Sequence, residues 1–259
     1  MKTEAIFELF QNRKVPKNLT GREFLNVTAN EGEKRAALYL YDEISYWTFN
    51  DADTFRRRLN ALDADVIDLH INSPGGSVFE GVAIYNLLLA HKAKVIVHID
   101  GLAASIASVI ALAGDEIHIA ENAMVMIHNP SAFVWGEADD CRKMADSLEA
   151  VKAAILNTYE SRTNLGRPEL ASAMDSETWY GADDAVSHGF ASKKVSAQKI
   201  AAKWDAADFS NLPENAKRFG KAEQREEEAP APPETKGTVD DVATARARVE
   251  KLMNLHADA

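Results

Sequence analysis

The sequence predicts an α/β domain on a largely parallel sheet, and three observations carry that prediction. Short β-branched apolar runs recur through the middle of the chain. Segments of helical periodicity separate them, and glycine or proline marks many of the junctions. At 46% hydrophobic and 27% charged, the 259 residues hold enough apolar material for a sizeable core. A net charge of -11 argues against general affinity for nucleic acid or anionic membranes. Residues 1–10 carry acidic side chains and lack the apolar stretch of a secretory signal, and no run approaches the roughly 20 apolar residues of a membrane span. The single cysteine, Cys141, precludes an intramolecular disulfide and suits a reducing cytoplasm, the expected location.

Residues 1–35 are polar and weakly patterned, and regular structure is expected from Ala36 to about residue 205. Ala37–Tyr41 reads as a strand and Ala52–Leu62 as a helix with Phe55, Leu59 and Leu62 on one face. Val66–Ile71 is a strand entering a Pro-Gly-Gly turn, followed by a helix over Phe79–Ala90 and a strand over Lys94–Ile99. A small-residue helix is expected over Ala103–Ala113, then short strands at Glu116–Ala120 and Met124–His128. The longest helix spans Glu137–Glu160, with Cys141, Met144, Leu148, Val151, Ile155 and Tyr159 at steps of three and four. That stripe fits a helix packed on its own domain or one projecting to meet another subunit, and it predicts a buried, structural Cys141 thiol. Gly166-Arg167-Pro168 breaks the pattern. A last helix over Ala182–His188 is expected to carry Asp183 and Asp184 in its first turn and to end at Gly189. Residues 206–237 include a charged, proline-rich run that reads as a disordered linker. Residues 238–259, with Thr238 as a cap, read as a short helix that is either marginal and solvated or used in assembly.

Three segments carry the chemistry: Asn72-Ser73-Pro74-Gly75-Gly76-Ser77, Gly101-Leu102-Ala103-Ala104-Ser105-Ile106-Ala107-Ser108 and Met126-Ile127-His128-Asn129-Pro130. Each alone is weak. Together, each at the end of an apolar run, they supply backbone donors, a serine at a helix start and a histidine leaving a strand. Acyl transfer by a serine needs those parts: an oxyanion hole, an attacking hydroxyl and a general base. Ser105 is the candidate nucleophile and His128 the base, with the amides of Gly75, Gly76 and Ile106 as candidate oxyanion donors. Ser108, a turn further on, is expected to pack or hydrogen-bond. Asp175 and Glu177 both qualify as the acid that orients His128, and spacing alone does not choose. His70, His98 and His118 read as ordinary strand positions, and His91, His188 and His256 as helix-end or tail residues. No metal-ligand pattern is present, so neither metal nor cofactor is expected.

These segments resemble the Clp protease proteolytic subunit family, and more narrowly its phage branch, the ClpP-like head maturation (prohead) proteases. The markers are Asn-Ser-Pro-Gly-Gly at 72–76, Gly-x-Ala-Ala-Ser at 101–105, Met-Ile-His-x-Pro at 126–130 and the Ala185-Val186-x-x-Gly189-Phe190 close. The resemblance implies a ClpP/crotonase-like spiral of ββα units and a homo-oligomeric ring stacked through the protruding helix at 137–160. It also implies a serine endopeptidase with Ser105 as nucleophile, His128 as base, and Gly76 with Ile106 as the oxyanion hole. In that family the acid precedes an aromatic by two residues, which here gives Glu177 before Trp179; Asp175 fits if the loop shifts by two. Residues 1–35 do not match the family's axial-loop segment, which argues against an unfoldase partner. With the linker and terminal helix, this points to scaffold and capsid proteins as substrates during head maturation, inside an assembling capsid in the host cytoplasm. The alternatives are an ATP-dependent degradative subunit, a crotonase-type acyl-CoA enzyme and a non-catalytic assembly protein.

Overall fold

The computed structural model describes residues 25–30, 33–196 and 213. The segments at 206–237 and 238–259 therefore lie outside the described residues, apart from Pro213. The described part is one eight-stranded mixed sheet with helices between its strands, as an α/β chain should be.

Strand β1 (Leu25–Asn30) pairs antiparallel with β2 (Glu33–Tyr41), so the sheet begins inside the segment that the sequence left unpatterned. A 3-10 turn at Tyr46–Thr48 leads to helix α1 (Ala52–Asn60). The carboxylate of Asp51 accepts the Thr54 N–H at 2.9 Å and caps α1, whose Phe55 and Leu59 are buried. Then come β3 (Val66–Ser73), α2 (Val78–Leu89) and β4 (Lys94–Ala104). Helix α3 (Ile106–Ala111) is followed by β5 (Glu116–Ala120) and β6 (Met124–Ile127). The parallel ladder runs β2-β3-β4-β5 and ends on β8 (Lys193–Val195).

Strand β4 organises the site. Its first half, Ile96–Ile99, pairs with β5; its end, Leu102–Ala104, pairs with β6. For that reason β4 continues through Ala104, where the sequence predicts a helix from Ala103. Small residues carry little local preference, and pairing with Met124–Met126 decides their conformation.

Alternation across the ladder gives the sheet two unlike faces. Leu38, Leu40, Ile67, Leu69, Ile71, Val97, Ile99 and Ile119 are fully buried and join Phe55, Leu59, Ile84 and Ile110 in the core. On the other face Tyr39, His70, His98 and His118 stand in register on four adjacent strands. Tyr39 stacks on His70 and His70 on His98, at 4.7 and 4.6 Å between ring centroids. His70 donates to Asp100 and His98 to Asp68, each at 2.7 Å. These histidines are structural partners of carboxylates.

The long helix α4 (Ala138–Arg162) opens with a capping box between Glu137 and Asp140. Its buried residues, Ile155, Leu156 and Tyr159, all lie in its second half. Cys141 is exposed, contrary to the burial expected from the stripe, because no described element covers the first half of α4. Helix α5 (Arg167–Asp175) starts at the Gly166-Arg167-Pro168 break, since proline is tolerated in a first helical turn. Strand β7 (Thr178–Gly181) runs antiparallel to β6, and helix α6 (Ala182–Ser187) ends with Gly189 at φ +84°, the left-handed position that favours glycine.

Candidate active site

Ser105 occupies the single residue between β4 and α3. Its N–H donates to the Met126 carbonyl at 2.9 Å, extending the β4–β6 pairing by one step. Its backbone stands at φ 54°, ψ -128°, a conformation that costs a non-glycine residue about 1–3 kcal/mol. The sharp turn separates strand from helix and presents the side chain at the strand's carboxyl end, where sites in open α/β sheets gather. Ser105 is thus the N-cap of α3 and not part of its first turn.

His128 follows β6, which lies against the end of β4. This brings its Nε2 within 2.8 Å of Ser105 Oγ, so the hydroxyl can donate to a neutral ring. Burial pushes the His128 pKa down, and the negative charge of Glu177 works against that shift. The β6–β7 register explains the second influence. Ile127 pairs with Thr178, the last step of the ladder, so His128 leaves β6 at the same end at which Glu177 precedes β7. Glu177 itself sits at φ 45° in the turn between α5 and β7, and the Trp179 indole N–H donates to its Oε1 at 3.3 Å. Asp175 is engaged elsewhere. It accepts from Asn129 at 2.9 Å and pairs with Lys152, an interaction that holds its carboxyl below the usual range.

The two glycines differ. Gly75 donates its N–H to Ser73 Oγ at 3.1 Å, so that donor is occupied, against the expectation that it could serve an oxyanion. Its contribution is space: at φ +97°, a Cβ there would lie 2.7 Å from the Cβ of Ser105. Gly76 bridges in parallel with Ile44, whose N–H binds Gly75 O and whose carbonyl accepts from Ser77. That pattern leaves the Gly76 N–H directed away from Ile44. Ile106 is the first residue of α3, so its N–H has no carbonyl one turn back within the helix. The site therefore joins a hydroxyl to an imidazole on which the charge of Glu177 acts, with the Gly75-Gly76 turn packed against Ser105 and the first N–H of α3 following it.

Sequence reasoning did not foresee β7, which aligns Glu177, because four residues with a single buried position leave little periodic signal. Among the described residues no group of three or more His, Cys, Asp or Glu could hold a metal ion, and no helix is long and apolar enough to cross a membrane.

The Clp protease family model matches residues 32–198, which contain every element of this site. This chain belongs to the Clp protease family. It is 35% identical over 134 residues to the ATP-dependent Clp protease proteolytic subunit 3 of Rhodococcus jostii (strain RHA1), covering 51% of this chain and 66% of that protein. It is 34% identical over 126 residues to the ATP-dependent Clp protease proteolytic subunit 2 of Thermobifida fusca (strain YX), covering 48% and 62%. A third relative, proteolytic subunit 2 of Tropheryma whipplei (strain Twist), is 33% identical over 135 residues, with 51% and 75% covered. The chain thus spans just under two-thirds of the first two relatives. Membership in the Clp family sets aside the crotonase-type alternative.

Proposed function

We propose that this Clp-family protein is a serine endopeptidase that cleaves scaffold and capsid proteins during viral head maturation, without an ATP-driven partner. The observation that carries the peptidase reading is the 2.8 Å approach of Ser105 Oγ to His128 Nε2. In the proposed reaction His128 takes the Ser105 proton as Oγ attacks the scissile carbonyl. The Gly76 and Ile106 amides receive the developing oxyanion. Glu177 orients His128 and stabilises its cation. Collapse expels the amine, protonated by His128, and water activated by the same base releases the acyl group.

An extended peptide would lie along the segment after Gly76 and the loop after His128, adding a strand. On that loop Phe133 and Trp135 are almost fully exposed and offer apolar surface for such a chain. The exposed first half of α4, with the half-buried Met144 and Leu148, supports its use in stacking the subunits of a homo-oligomeric ring. The maturation role is supported by the charged, proline-rich sequence within residues 199–259, which lie beyond the family match. The names of the relatives favour a second reading, a degradative subunit that works with an unfoldase.

Co-expression with candidate scaffold and capsid proteins, wild type against Ser105→Ala, separates these readings by mass spectrometry of new termini. Serine-dependent cleavage without an unfoldase is the expected result. Degradation that appears only when a cognate unfoldase and ATP are added would replace the maturation role with the second reading. Maturation that persists in Ser105→Ala would remove the peptidase reading.

A further inference from the structure

Behind the nucleophile lies a hydrogen-bonded chain that the proposed reaction does not use. Ser108 Oγ–H donates to the Ser105 carbonyl at 2.6 Å, and the Ser108 N–H reaches the same oxygen at 3.0 Å. The Tyr159 hydroxyl, 2.7 Å from Ser108 Oγ, completes the chain by donating to it. Ser108 and Tyr159 are each 1% exposed, so no water competes for these bonds. Burial pushes the Tyr159 phenol well above its ordinary value and keeps it protonated as a donor. Its ring is fixed edge-on against Phe190, with centroids 5.9 Å apart.

The Ser105 carbonyl and the Ile106 N–H belong to one planar trans peptide unit and point in opposite directions. Whatever holds that oxygen also aims that hydrogen. We infer that the Tyr159–Ser108 pair is a positioning device: by pinning the Ser105 carbonyl, it directs the Ile106 N–H at the oxyanion. This rests on the peptidase reading above. The need for such a device follows from the backbone, because Ser105 sits at positive φ and its peptide would otherwise relax. Two hydrogen bonds to the carbonyl also polarise the unit and strengthen its N–H as a donor. Tyr159 lies near the end of α4, so the same chain ties the long helix to the nucleophile's backbone.

The test is saturation labelling of the full-length protein with a fluorophosphonate probe, which reads the maximal rate kinact separately from the half-saturating concentration KI. Ser108→Ala and Tyr159→Phe should lower kinact about five- to twentyfold, a fraction of the cost of deleting an oxyanion donor. KI should stay within about twofold and the pH midpoint should not move, because neither probe contacts nor His128 are touched. Ser108→Thr, which keeps the hydroxyl, should restore kinact. Variants that lose thermal stability but label at the wild-type kinact would overturn the inference and leave the peptidase reading standing. Tyr159→Phe keeps the ring packing and decides the matter if Ser108→Ala does not fold. Absence of labelling in the wild-type protein would remove both readings together.

Discussion

Gly75 and Ser105 are fitted to each other at the sharp turn between β4 and α3. A Cβ on Gly75 would lie 2.7 Å from the Ser105 Cβ and 2.8 Å from the Ala104 carbonyl, and the Gly75 backbone at φ +97° disfavours any side chain. The neighbours are a strand end and a strained turn, so little can give way. Gly75→Ala should therefore lower probe labelling of Ser105 at least about tenfold while the purified protein stays folded by circular dichroism. Wild-type labelling in that variant would show that the turn has more freedom than its geometry implies.

Exchange of the two carboxylates should have unequal effects. Glu177→Gln removes the charge that acts on His128 and should reduce kcat/KM at least about tenfold. Asp175→Asn removes only the partner of Lys152 and Asn129, on an exposed side chain, and should leave kcat/KM within about threefold. Peptide hydrolysis by both variants gives the comparison, and the reverse order would assign the acid to Asp175.

In the proposed reaction His128 must be neutral to accept a proton, so activity should rise with pH through the His128 pKa. Burial lowers that pKa, which places the half-maximal point below the ordinary histidine value of about 6.5. Glu177 opposes the shift, so Glu177→Gln should move the midpoint further toward acid while also lowering the plateau. A pH profile of kcat/KM checks both, and a midpoint above about 7 would contradict the burial of the ring.

On the opposite face of the sheet, burial would raise the Asp68 carboxyl, but hydrogen bonds from Arg35 and His98 outweigh it and hold Asp68 well below the usual range. A carboxyl depressed on folding stabilises the protein above its unfolded value of about 3.9, and that stability is lost as pH falls toward the folded value. Asp68→Asn should therefore cost about 1–3 kcal/mol at pH 7, and the gap to wild type should narrow as pH falls below about 3.9. Denaturant unfolding at pH 7 and pH 3 measures it.

Much of this architecture is legible in the sequence because it is written locally. Strands β2 and β5 alternate with a period of two, β3, β4 and β6 are largely apolar runs, and α1 carries its cap and its buried stripe within a dozen residues. What escaped detection is of another kind. Strands β1, β7 and β8 form because partners exist elsewhere, and Leu102–Ala104 extend β4 for the same reason. Cys141 was misplaced because helical periodicity reports a stripe without reporting whether anything in the chain covers it.

The sequence alone determined the order of the motifs, the residue types that gather at the sheet's carboxyl edge and the family to which they point. Tertiary structure decided which carboxylate's charge acts on His128, which glycine amide is already engaged by Ser73 and which buried tyrosine reaches the hydrogen-bonded chain at the Ser105 carbonyl. The reason is the range of the forces involved. Periodicity and turn propensity act over a few residues, whereas the charge of Glu177 acts on His128, and Tyr159 bonds Ser108, through pairing and packing between segments about fifty positions apart.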